Sequence, residues 1–213
     1  MNMDESFFMD WYYTQASEAE RKLFDKMDEF SDLFEDMLFE PGTASYELIK
    51  CQSKSADSDE WRDDEAPRPE SLEYFSYTFF KTKIESLDGR EGYYDHQNQI
   101  ICLSPEVAED DATLLHEMIH LHESVINELP LYFHDMLYWA LYHDLREKIT
   151  ELDQAITQHA HILNESTIYN NGGLHDILFL LKSFDLDIRK GYPLGTVFAY
   201  GGVDDFKFLT YKK

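Results

Sequence analysis

The chain of 213 residues is 43% hydrophobic and 15% aromatic, which is enough apolar material for a folded domain and excludes a wholly disordered protein. Its formal net charge is -25, and a surface this acidic repels phosphate groups, so we expect neither direct nucleic-acid binding nor attachment to an anionic membrane. A basic protein partner would suit this charge.

The sequence shows no sign of secretion or of a membrane span. Residues 1–6 lack the basic and apolar regions of a signal peptide. No apolar run approaches the ~18 residues that a membrane helix needs. The two cysteines, Cys51 and Cys102, have no CxxC spacing and predict free thiols in a reducing compartment. We therefore expect a cytoplasmic protein.

The first part of the chain predicts an acidic helix followed by a strand and a loop. Ser17 and Glu20 form a capping-box pattern, and apolar residues then recur every three or four positions, which is typical of an amphipathic helix. A short strand is predicted over residues 46–51. The acidic stretch over 52–70, which ends in two prolines, predicts an exposed loop.

The middle of the chain predicts a small sheet. Aromatic and β-branched residues over 72–84 favour a strand. Beyond the turn residues of Asp88-Gly89, the segment that starts at Gly92 and the segment over 99–103 are predicted to pair as two further strands.

The last hundred residues predict mainly helices. Two long helices are expected over 111–127 and 131–164, separated by Pro130, and a third over 175–189. The segment over 195–200 predicts a closing strand. This order of elements, with one helix followed by strands and then by more helices, indicates an α+β fold rather than alternating βαβ units.

His116, Glu117 and His120 form an HExxH motif on the first of the two long helices. Histidines four positions apart lie on one face of a helix, so both imidazoles can reach one metal ion. The residues around them are apolar except for this polar stripe, which predicts a buried helix whose stripe needs partners. The alternative is a helix with two core histidines and a solvated polar edge. We favour a zinc site, because imidazole nitrogen suits Zn2+.

The stretch from Glu91 to Glu123 contains a Gly-aromatic-Asp turn, a short apolar strand and then the HExxH helix. In this order of elements it resembles the core of the minimal zincin metallopeptidases, above all the SprT-like and ImmA/IrrE-like groups. The resemblance implies a zincin-like α+β fold, in which a small antiparallel or mixed sheet packs on the HExxH helix and on a second long helix. It implies that His116 and His120 bind zinc. It also implies that Glu117 is the catalytic base and acid, which activates a zinc-bound water.

The glycine turn that brings a third histidine in metzincins is absent, so the third metal ligand must come from elsewhere, as in gluzincin-type sites, and Glu147 is predicted. If the HExxH helix and the next helix pack antiparallel, the motif lies level with residues 140–147. Glu147 ends an apolar stripe, and Glu151 one turn later could accept the second N–H of a ligating histidine. His143 is the main alternative. The other candidates are Glu123, His134, His159 and His175.

Two functions are consistent with these patterns. The first is a zinc-dependent metallopeptidase that hydrolyses a peptide or protein substrate, with an acidic helical extension over 1–42 and the zincin-like domain over 43–213 forming one compact unit. The second is an acidic interaction module on the same scaffold, which binds a basic partner without catalysis. In the second case Glu117 would be dispensable.

Overall fold

The computed structural model describes residues 9–35, 81–126, 131–165, 175–198 and 206–212. The strand predicted over 46–51 and the loop predicted over 52–70 lie outside the described residues. So do residues 72–80, which form most of the strand predicted to end at residue 84.

Within these residues the chain forms helices and two small sheets, which confirms the α+β class. A π-helical turn, Trp11–Gln15, precedes the helices α1 (Glu18–Glu35), α2 (Asp111–Ile126), α3 (Leu131–Lys148), α4 (Leu152–Glu165) and α5 (Ile177–Lys190). The strands are β1 (Lys81–Ile84), β2 (Gly92–Asp95), β3 (Ile100–Leu103), β4 (Ile149–Thr150) and β5 (Thr210–Tyr211). None of these helices within the described residues is long and apolar enough to cross a membrane.

Helix α1 is held at both ends. The Ser17 backbone N–H donates to Glu20 Oε2 at 2.7 Å and the Glu20 N–H donates to Ser17 Oγ at 3.2 Å, so the predicted capping box is confirmed. At the other end, Lys182 and Arg189 of α5 donate to the Leu33 carbonyl at 2.8 and 2.6 Å. Cationic side chains thus satisfy a carbonyl of the last turn, and α1 shares one hydrophobic core with α2.

The first sheet has the order β1-β3-β2 and places the HExxH helix. Strand β1 runs parallel to β3, and β2 pairs antiparallel with β3, as predicted for these two segments. Ile101 and Leu103 of β3 are fully buried. Helix α2 packs on β2 and β3 and is buried along most of its length, which confirms the expected buried helix.

The helix predicted over 131–164 is in fact two helices. The chain leaves α3 for the two residues Ile149–Thr150, which pair antiparallel with Thr210–Tyr211. Glu151 then adopts a φ of 59°, which lets the chain turn into α4. The apolar periodicity runs through this break, and the strand that causes it comes from the far end of the chain.

Helix α5 has a capping residue at each end. Asp176 is its N-cap and accepts the Phe179 N–H at 2.9 Å. Gly191 ends the helix in the left-handed region, with a φ of 71°, as is common for glycine at this position. The closing strand predicted over 195–200 is wrong for its described part, because residues 194–198 form turns.

Helix α5 lies between the two hydrophobic cores. Phe179 and Leu186 pack into the core built by α1, the first sheet and α2. Leu178, Leu181 and Phe184 pack into the second core with α3 and α4. Helix α3 therefore packs mainly against α5, and α5 in turn packs against α2.

Candidate metal centre

Three histidines converge where α2 meets the beginning of α5. One potential ligand nitrogen from each of His116, His120 and His175 lies within 4.8 Å of the other two. The ring centroids are 5.3 Å apart for His116 and His120, 4.6 Å for His116 and His175, and 5.1 Å for His120 and His175. Such a triangle of imidazoles can hold one metal ion. In the described ranges, no second group of His, Cys, Asp or Glu side chains meets in this way.

The backbone fixes the orientation of His116. Its Nδ1 lies 2.9 Å from the carbonyl oxygen of Val197, and the ring is fully buried. In the tautomer protonated at Nδ1, the ring donates to this carbonyl and Nε2 becomes the ligating nitrogen. The arrangement is the one that ligating histidines usually have, with an oxygen acceptor behind the ring.

The other two histidines are supported from outside the triangle as well. His120 Nδ1 lies 3.5 Å from a carboxylate oxygen of Glu123, three residues later on the same helix. His175 directly precedes the N-cap of α5, and the Nε2 of the buried His159 lies 2.6 Å from the His175 carbonyl oxygen. The backbone of His175 is therefore anchored on α4.

Phe179 forms an apolar wall behind all three imidazoles. Its ring centroid lies 4.7 Å from those of His116 and His120 and 4.3 Å from that of His175. The side chain is fully buried. It lies one turn after His175, so the start of α5 supplies both a histidine and the wall that excludes water behind the cluster.

Burial keeps the three histidines neutral. Desolvation, followed by repulsion from His175, lowers the pKa of His120 to about 3 and holds the pKa of His116 far below its ordinary value. Desolvation also lowers the pKa of His175 to about 4. Neutral imidazole is the form that binds metal, so protons do not compete for these nitrogens at neutral pH.

Glu123 and Asp176 place acidic groups next to the cluster. Burial, and then the charge of Asp176, raise the pKa of Glu123 to about 9. In the metal-free protein the Glu123 carboxyl is therefore protonated at neutral pH. A cation bound by the neighbouring histidines would favour the carboxylate form of Glu123, which is the better acceptor for His120 Nδ1.

Glu117 lies against the edge of the first sheet. Its side chain is almost completely buried. A Cβ atom added at Gly92 of β2 would lie 2.9 Å from Glu117 Oε1 and 2.8 Å from Leu103 Cδ2. Any larger residue at position 92 would therefore force the side chain of Glu117 or Leu103 to shift.

The structure does not bring Glu147 into the cluster. Glu147 is exposed in the last turn of α3. His143 is also exposed, and its ring stacks on that of Trp139 at 5.8 Å. The reason is that α5, rather than α3, lies beside α2. Glu151, expected as the outer acceptor, lies in the turn between α3 and α4.

The position that joins the HExxH pair is His175, one of the less favoured candidates. Its local sequence carries only one signal, the N-cap Asp176, which marks the start of a helix but not a ligand. Of the remaining candidates, Glu123 contacts His120 and His159 contacts the backbone of His175, and the side chain of His134 lies outside the described residues.

No protein-family model matches the chain, and neither a curated protein nor a solved structure matches it. The resemblance of residues 91–123 to minimal zincins is therefore still an expectation based on the motif and its flanks. The capacity of the site to bind a metal follows from the geometry and the neutral state of the three histidines.

Proposed function

We propose that the chain is a zinc-dependent metallopeptidase whose zinc is bound by His116, His120 and His175. One observation carries the proposal: a third imidazole, from a distant part of the chain, meets the two histidines of the HExxH motif within 4.8 Å. Three protein ligands leave a fourth position of a tetrahedral zinc open, which is the arrangement of catalytic rather than structural sites.

The residues fit zinc in two respects. Neutral imidazole nitrogens are preferred zinc ligands. The carbonyl oxygen of Val197 and the carboxyl of Glu123 face the Nδ1 atoms of His116 and His120, which supports ligation through Nε2. Zinc bound here would supply a Lewis acid and lower the pKa of a water molecule towards neutrality.

Glu117 is proposed as the base and acid of the reaction. Its carboxylate follows His116 directly on α2 and is buried against β2. In this role Glu117 accepts a proton from the attacking water and passes it to the nitrogen of the leaving amine. Strand β2 lies at the edge of the described sheet, next to α2, so an extended peptide that pairs with β2 would run past Glu117.

The test is hydrolysis of a mixed peptide library by the zinc-loaded protein, followed by mass spectrometry. Glu117→Gln keeps the size of the side chain and removes the base, so cleavage should be lost while zinc binding persists. Glu109→Gln, at an exposed glutamate in the turn before α2, is the matched control and should cleave like the unchanged protein.

Two outcomes would contradict the proposal. One is the absence of any cleavage by the zinc-loaded protein over the whole library. The other is equal cleavage by the protein and its Glu117→Gln variant. The interaction-module alternative makes the opposite prediction, namely salt-sensitive binding of a basic protein that depends neither on zinc nor on Glu117.

A further inference from the structure

Asp187 is a buried carboxylate outside the histidine cluster. It lies in the last turn of α5 and its side chain is completely buried. Its Oδ2 accepts the backbone N–H of Gly195 at 2.6 Å, and its Oδ1 accepts the N–H of Val197 at 3.0 Å. Both oxygens of the side chain are thus engaged by the turn that follows the helix.

The same turn reaches the metal centre. Val197 donates its N–H to Asp187, and its carbonyl oxygen lies 2.9 Å from Nδ1 of His116. A continuous hydrogen-bonded path therefore leads from the Asp187 carboxylate, through one residue of the turn, to a proposed ligand. Changes in the position of Val197 must change the acceptor behind His116.

Gly195 and Phe206 also constrain the path of the turn. Gly195 has a φ of 91°, which few residues other than glycine adopt. A Cβ atom at Gly195 would lie 2.5 Å from the ring of Phe206. The turn is therefore restricted both by its contact with Phe206 and by its hydrogen bonds to Asp187.

We propose that Asp187 is a positioning residue of the metal centre: it holds the turn over 194–198 so that the Val197 carbonyl keeps His116 protonated at Nδ1 and directs Nε2 to the metal. This proposal rests on the proposed metal centre, because His116 needs a directed Nε2 only if it binds a metal. The tautomer of His116 is a property of the metal-free chain and can be measured without zinc.

A carboxylate is required by the geometry. Two N–H donors of the turn need two acceptor oxygens, and the carboxylate supplies both. An asparagine has one acceptor oxygen, and its NH2 group would face the second N–H donor. Burial of a carboxylate is costly, and these two charge-assisted hydrogen bonds offset part of that cost.

The experiment compares Asp187→Asn with Asp185→Asn. Asp185 is a second buried carboxylate of the same helix, paired with Lys182 at 3.0 Å, so its variant controls for a general loss of stability. Nitrogen-15 NMR of the metal-free proteins reports the tautomer of His116. Zinc affinity is measured in parallel by competition with a chelating dye.

Asp187→Asn is expected to give a mixture of His116 tautomers and to weaken zinc binding by about 10- to 100-fold, the usual effect of disturbing the partner behind a ligand. Asp185→Asn is expected to lower stability and to leave both quantities unchanged. Equal tautomer ratios and equal zinc affinities in the two variants would overturn the proposal. If the unchanged protein binds no zinc, the metal centre is refuted, and the tautomer comparison still decides the role of Asp187.

A second measurement covers the case in which Asp187→Asn does not fold. Scalar couplings across hydrogen bonds, measured on the unchanged protein, connect the Gly195 and Val197 amide nitrogens to the carboxyl carbon of Asp187. Both couplings are expected, together with a His116 ring protonated at Nδ1. The absence of these couplings, or a His116 ring protonated at Nε2, would overturn the proposal.

Discussion

Replacing His175 with alanine is the perturbation that most sharply separates the three-histidine site from the site expected from the sequence. The imidazole of His175 lies in contact with those of His116 and His120, whereas Glu147 is exposed on α3. Loss of His175 should therefore remove zinc, and Glu147→Ala should not.

The size of the effect follows from the number of ligands. Zinc sites with four protein ligands bind with an apparent free energy of about 10–16 kcal/mol at neutral pH, which is roughly 3 kcal/mol per ligand. A change of about 1.4 kcal/mol corresponds to a factor of ten in affinity. His175→Ala should therefore weaken zinc binding by about 100-fold or more.

The assay is a competition titration with a zinc-chelating dye, with a thermal melt of each variant to verify its fold. Glu147→Ala and His143→Ala are the controls, because both side chains are exposed and outside the cluster. Their zinc affinities should stay within about twofold of the unchanged protein. If Glu147→Ala loses zinc and His175→Ala keeps it, the assignment of the third ligand to His175 is refuted.

Three further predictions concern the surroundings of the site. Gly92→Ala should lower the proposed peptidase activity more than zinc affinity, because the new methyl group would lie 2.9 Å from Oε1 of Glu117, the proposed base, and displace it; equal losses in the two assays would contradict this. Lys182→Met should lower the free energy of unfolding by about 3–5 kcal/mol, because it leaves the buried carboxylate of Asp185 without its cation; chemical denaturation measures the loss, and a combined Lys182→Met/Asp185→Leu variant should recover most of it. The unchanged protein should lose stability relative to Asp187→Asn as the pH rises from about 4 to 7, because burial raises the pKa of Asp187 to about 7 and the folded chain keeps a proton there that the unfolded chain releases. The buried histidines, whose pKa values are lowered, change stability in the opposite direction in both proteins, so the difference between the two sets of melts is the test, and a difference that stays constant with pH would contradict it.

Features controlled by neighbouring residues could be predicted from the sequence. The capping box of Ser17 and Glu20 joins groups three positions apart. The buried HExxH helix follows from the apolar periodicity around His116 and His120, and the strand pair that starts at Gly92 follows from turn residues and alternating side chains. Each of these needs only local sequence and the period of one element.

The third histidine could not be predicted, because it depends on contacts between distant segments. The expectation of Glu147 assumed that the helix next in sequence to the HExxH helix also packs beside it. That helix instead ends at the strand pair formed with Thr210–Tyr211, and α5 occupies the space beside α2. His175 joins the cluster through this tertiary arrangement, and the N-cap at Asp176 shows only where α5 begins.

The measurement that tests the three-histidine centre most directly is X-ray absorption at the zinc edge, on protein loaded with zinc and dialysed. The account predicts about one zinc per chain, surrounded by three imidazole nitrogens at about 2.0–2.1 Å and one further light atom. The same spectrum of His175→Ala should lose the signature of one imidazole or show no bound zinc. Retention of three imidazoles in His175→Ala, or a first shell with fewer than three in the unchanged protein, would contradict the account.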